Sequence, residues 1–238
     1  MTNVQKVSLA AAAVVVLGAA GAFFLWPKVI SPNGHETVLT PRVDRGIEPK
    51  DEQMLRDRIA SKETAYREAA ANGENGINLL LQIGNTYYTL GELDTAVSYY
   101  DRILADFPND APSLENKGQA LLEMGDFAGA ETVWRKAIVV NPIDVTYLRL
   151  ADLIATRNPD RVPEVRLLLE QAISTIGQSE GLMIALGNWY KGQDMLEEAI
   201  SHYEVALALN PKNATVKQEI AALRAELAKR QLRESGAK

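Results

Sequence analysis

Cysteine and histidine chemistry is nearly absent from this sequence: there is no cysteine, and the two histidines are His35 and His202. Without cysteine there are no disulfides, thiolate nucleophiles, zinc fingers or iron–sulfur clusters. Two isolated histidines exclude a histidine-rich metal site. No glycine-rich phosphate loop and no serine-centred nucleophile motif is found. His35 stands among prolines and glycines with no partner, and His202, beside Tyr203 in a helical segment, reads as a packing or surface residue. The expectation is a non-enzyme, with no catalytic residue, metal or cofactor. The chemistry left is hydrogen bonding and apolar burial, which is the chemistry of binding.

Composition narrows the partner. The 238 residues carry 25 basic and 31 acidic side chains, a net charge of -6. A phosphate backbone is gripped by a basic footprint, so nucleic acid is not expected. Apolar content of 47% is enough to bury a real core, which excludes a wholly disordered chain.

The elements that must position such a binding surface follow in order. After a short tail (1–6), residues 7–26 read VSLAAAAVVVLGAAGAFFLW, 20 residues without a charge. A helix of that length spans roughly 30 Å, about one bilayer core, so a transmembrane anchor is expected. Trp26 suits the interface and Pro27 stops the helix. A cleaved signal peptide is the rival, with Ala20-Gly21-Ala22 as its cleavage site. A short tail before a large domain favours a cytoplasmic N-terminus with the remainder outside, in a periplasm-like space. Residues 27–50 hold Pro27, Pro32, Pro41 and Pro49 with Gly34 and Gly46, and predict a flexible linker. Met54, Leu55, Ile59, Tyr66 and Ala69 then recur at helical spacing and predict an amphipathic helix over 51–73.

From there the sequence repeats itself. Gly84 and Gly118 are 34 residues apart, as are Gly91 and Gly125, Ala96 and Ala130, and Pro108 and Pro142. Units fall at 77–110, 111–143 and 180–213, the last with Leu186, Gly187, Tyr190, Ala199, Tyr203 and Pro211. Small residues let two helices of a unit approach, large ones such as Tyr87, Tyr100 and Trp134 fill the space beside them, and proline ends the second helix. Residues 144–179 form a degenerate unit: Tyr147, Leu150, Ala151, Ile154, Val165, Leu169 and Ala172 keep the pattern, but the turn at 157–163 is too long and Gly177 replaces the proline. Residues 214–238, with Val216, Ile220, Leu223 and Leu227 on one face, predict a capping helix and a basic tail.

The pattern resembles the tetratricopeptide repeat (TPR) family over about 77–213. The resemblance implies an all-α fold: helical hairpins stacked into a right-handed superhelical solenoid, here preceded by the transmembrane helix. It implies that a protein or extended peptide lies along the inner wall made by the first helices. Carried over by position, the partner-binding groove takes Asn78, Leu81, Asn85 and Tyr88, then Asn116 and Gln119 (with Glu115 and Glu123 nearby), then Arg149 and Asp152, then Asn188 and Lys191 with Ile184. A subclass that grips C-terminal carboxylates uses a Lys-Asn-Asn-Lys-Arg set; Asn85, Asn116 and Arg149 match it, while Leu81 and Val145 replace its lysines. In architecture the chain resembles membrane-anchored bacterial envelope proteins, such as those of cytochrome c maturation. The implied role is an assembly factor or chaperone scaffold. A cytosol-facing adaptor and a self-associating homo-oligomer are the alternatives.

Overall fold

The computed structural model describes residues 43–236 and, as backbone only, 14–18, 21–25, 28–30 and 36–38. Ten helices run in sequence: α1 (Pro49–Ala71), α2 (Ile77–Thr89), α3 (Leu93–Asp106), α4 (Ala111–Met124), α5 (Phe127–Val140), α6 (Asp144–Arg157), α7 (Val162–Ile176), α8 (Glu180–Gly192), α9 (Leu196–Leu209) and α10 (Ala214–Gly236). Each packs on the next, and α2 also touches α4 and α6 touches α8. First helices of adjacent units therefore stand side by side and share one wall, as a stacked solenoid requires.

Local chemistry sets the helix ends. The side chains of Asp110, Asp126, Ser179 and Asn213 accept from the backbone N–H groups of Ser113, Gly129, Leu182 and Val216, at 2.9–3.2 Å, so α4, α5, α8 and α10 start on capped turns. The hairpin turns need a left-handed residue: Gly91 (φ +78°), Gly125 (φ +81°) and, in the fourth unit, Asp194 (φ +62°). Arg230 of the capping helix grips Asp194 with two bonds of 2.8 Å.

The core forms where small and large residues oppose each other. A Cβ on Gly84 would meet the Tyr100 ring at 2.8 Å, one on Gly118 the Trp134 indole at 2.3 Å, and one on Gly187 the Tyr203 ring at 2.6 Å. Those aromatic side chains are almost wholly buried. The third unit differs. Ala151 and Leu169 take the places of glycine and aromatic, and a single 3-10 turn, Pro159–Arg161, joins its helices. Charge holds that turn: Arg161 donates two bonds to Glu131 (2.9 and 2.7 Å) and one to Glu164 (2.9 Å), and Arg135 also reaches both carboxylates.

The described residues of the 7–26 stretch form two strands. Strands β1 (Val14–Gly18) and β2 (Gly21–Leu25) pair antiparallel, with Val14 opposite Leu25 and Gly18 opposite Gly21. Three consecutive valines and two phenylalanines suit a strand, and a short apolar run does not by itself separate strand from helix. The other positions of that stretch lie outside the described residues. No helix among the described residues is long and apolar enough to cross a membrane. The 27–50 segment, expected as a linker, is described in part. Strands β3 (Lys28–Ile30) and β4 (Glu36–Val38) pair within it, and residues 43–48 are fixed to the helical body.

Candidate functional site

The inner wall carries side chains from α2, α4, α6 and α8, and two cavities open along it. The first, about 410 Å³, is lined by Asn85, Tyr88, Thr89, Tyr100, Asn116, Gln119 and Arg149. Its polar groups are mutually oriented. Asn85 Oδ1 accepts from Tyr100 Oη (2.9 Å) and from Asn116 Nδ2 (2.8 Å). With its oxygen used twice, Asn85 has its amide N–H groups left over, as does Asn188, whose Oδ1 accepts from Tyr203 Oη at 2.6 Å. Each tyrosine that seals a helix pair thus also fixes an asparagine as a donor on the wall. Burial pushes the Tyr203 hydroxyl up to about 12 and Tyr100 further still, so both remain protonated donors at neutral pH.

At the rim of this cavity lies a carboxylate. Glu123 Oε1 accepts from Tyr88 Oη and from Gln119 Nε2 (3.0 Å), and Oε2 accepts from Arg45 at 2.6 Å. Burial would raise the Glu123 pKa, but the hydrogen bonds from Tyr88, Gln119 and Arg45 win and hold it below the usual range. The Arg45 guanidinium lies 4.9 Å from the centre of the Tyr88 ring.

The second cavity, about 440 Å³, is apolar. Leu148, Ala155, Val165, Leu169, Ile184 and Trp189 line it, with Asp152 and Asn188 beside them. It exists where the third unit is irregular: a leucine stands where the other units put an aromatic ring. The Trp189 indole is pinned by donating to the Val162 carbonyl at 2.8 Å and packs edge-on to Tyr190.

Of the positions expected in the groove, Asn85, Tyr88, Asn116, Gln119 and Arg149 come together in the polar cavity. Asp152, Asn188 and Ile184 come together in the apolar one. Leu81 instead packs on the cluster of Ala96, Tyr100 and Ala120. Lys191 pairs with Glu219 of α10 at 2.6 Å, and Asn78 is exposed and lines neither cavity. His202 stacks on Tyr190 (5.0 Å, 11° between planes), and burial, opposed by Glu170, lowers its pKa. His35 lies outside the described residues. Among the described residues no cluster of three or more His, Asp or Glu side chains is arranged to hold a metal. Sequence reasoning missed Trp189 and Arg45. An aromatic residue one position after Asn188 was a usable signal for the first, but nothing periodic marks the second.

Comparisons with known proteins agree with the fold. Residues 81–142 match a family model described as tetratricopeptide repeat, and residues 182–216 match a second model of that description. The irregular third unit lies between the two matches. Among solved structures the chain is similar to MamA, at a TM-score of 0.56 and 19% identity over 73% of this chain and 98% of that one. A MamA fragment from Desulfovibrio magneticus RS-1 gives 0.53 and 21% over 64% and 85%. YrrB, described as a TPR protein with an unusual peptide-binding site, gives 0.52 and 16% over 68% and 82%. At these identities the likeness is one of fold, a stacked helical solenoid, and tetratricopeptide repeats are identified at 81–142 and 182–216.

Proposed function

We propose that this chain is a non-catalytic scaffold that binds an extended stretch of another protein along the wall of α2, α4, α6 and α8. The observation that carries the reading is the pair of cavities on one wall, one offering oriented amide donors and the other an apolar socket. Oriented amides suit the carbonyls of an extended backbone, and the socket suits an apolar side chain. A photo-reactive residue at Asn188 is expected to cross-link to a polypeptide in cells, while one at Val139, which is 82% exposed and lines neither cavity, is not. Equal capture at both positions, or none at Asn188, overturns the reading.

The uncharged run over 7–26, 20 residues that as a single helix would match one bilayer core, supports membrane attachment as part of this role. Attachment would raise the effective concentration of the scaffold toward other envelope proteins. With the repeats outside the cytoplasm the protein would serve envelope assembly, of which cytochrome c maturation is one case; with them inside, it would recruit soluble proteins. A cysteine placed at Asp126 would be the only thiol in the chain. Labelling by an impermeant maleimide in intact cells is expected for the first arrangement, and labelling only after lysis for the second.

A further inference from the structure

We propose that Tyr88, Gln119 and Glu123 form an arginine-binding subsite of the groove, and that residues 43–47 are a removable strap that keeps it filled with the chain's own Arg45. The inference rests on the reading of the groove as a polypeptide-binding surface and names the chemistry that one end of it accepts.

The subsite is built for a planar cation. One oxygen of Glu123 is saturated by the neutral donors of Tyr88 and Gln119, which leaves the other aimed at a charge. Arg45 meets that oxygen at 2.6 Å with its guanidinium over the Tyr88 ring. A guanidinium stacks on the ring while it donates to the carboxylate; a lysine ammonium stacks less well. The approach is also specific in its backbone. Val43 N–H donates to the Gly91 carbonyl at 3.0 Å. The Asp44 carboxylate accepts from Gly46 N–H at 2.8 Å and turns the chain. Ile47 then drops into the cluster of Ile59, Ile83 and Leu90. Gly91 has a second reason to be glycine here, because a Cβ on it would stand 1.9 Å from the Val43 carbonyl oxygen, whereas one on Gly125 would meet nothing within 4 Å.

The strap is held at few points. It makes one backbone bond to the repeats, and its ion pair keeps some contact with solvent, 27% for Arg45 and 22% for Glu123. An arginine from a partner would make the same contacts, opposed only by the high local concentration of Arg45, of millimolar order for a short tether. A partner that also fills the apolar socket would win that competition.

The test uses the full chain in detergent and a fluorescent peptide copying the strap, acetyl-Val-Asp-Arg-Gly-Ile-amide. Arg45→Ala is expected to bind it about ten-fold more tightly than the unaltered protein, because the internal competitor is gone. Adding Glu123→Gln should erase the gain, and a lysine version of the peptide should bind Arg45→Ala more weakly. Arg45→Gln serves as a second opening variant if thermal melting shows Arg45→Ala to be misfolded. Equal binding by the unaltered and opened proteins overturns the proposal, as does a gain that survives Glu123→Gln. Cross-linking at Asn188 reports on the groove separately: capture there with no response to the arginine peptide sinks the subsite and leaves the scaffold reading standing.

Discussion

At the α2–α4 end of the wall, Tyr100 crosses Gly84 and seals the helix pair, and the groove above it is polar and internally bonded. At the α6–α8 end, Leu169 stands where an aromatic would, with Ala151 in place of glycine, and both line the apolar cavity. One helical hairpin thus supplies two kinds of surface, polar where a ring seals the pair and apolar where an aliphatic side chain stands in its place. The polar end offers hydrogen-bonding geometry; the apolar end offers volume.

The largest effect that would break this comparison is in stability. Trp134→Ala removes a fully buried indole from a sealed unit and is expected to cost about 3–5 kcal/mol. Leu169→Ala, on a cavity wall, is expected near about 2 kcal/mol, the low end for its class. Urea unfolding measures both, and a smaller loss for the tryptophan would show that the third unit is packed as tightly as the second. Next comes binding. Trp189→Ala is expected to weaken a captured partner by about 2 kcal/mol, the scale of an interface hot spot, while leaving the strap peptide's affinity for Arg45→Ala unchanged. Coupled losses at both ends would mean that the cavities are not independent.

A smaller contrast lies in the turns. Gly125→Ala forces a side chain into left-handed backbone, at roughly 1–2 kcal/mol. Gly91→Ala adds the collision with Val43, so it should lose more stability, and because the peptide's valine would meet the same Cβ it should not admit the strap peptide as Arg45→Ala does. Identical behaviour of the two would show that the strap is not seated. The smallest effect is an acid one. Hydrogen bonds from Arg161 foremost, with those from Arg135, outweigh burial and hold Glu131 at about 2, below its ordinary 4.5. A carboxylate with a lowered folded pKa contributes stability above its unfolded pKa, and the contribution fades as pH falls from about 4.5 toward about 2. Glu131→Gln should flatten that part of the melting-temperature profile; an unchanged slope would remove the charge network as the clasp of the irregular turn.

How much of this was legible in the sequence follows from what each feature depends on. The spacing of Gly84, Gly118 and Gly187 is imposed by ring-to-backbone contact, so a periodic signal had to survive in the chain. The donors Asn85 and Asn188 occupy equivalent places in that period and were found the same way. The apolar cavity was not legible, because its walls come from α6, α7 and α8 and meet only in the folded chain. Lys191 was drawn away by Glu219, a partner from the capping helix that no local pattern announces. Arg45 lay hidden among prolines and glycines, since its docking depends on an ion pair to a residue 78 positions away. The element type of the 7–26 stretch was not legible, because its valines and phenylalanines satisfy a strand as well as a helix.

The pinned indole at the apolar socket also gives the molecule an optical voice. Of its three tryptophans, Trp134 is sealed in the core and Trp189 is half-buried at the socket's edge. An apolar side chain entering the socket displaces water from Trp189, so its emission should move to the blue and collisional quenchers should reach it less. An arginine arriving beside Tyr88 should leave that colour unchanged. Unlabelled protein can therefore report which end of its groove has been taken.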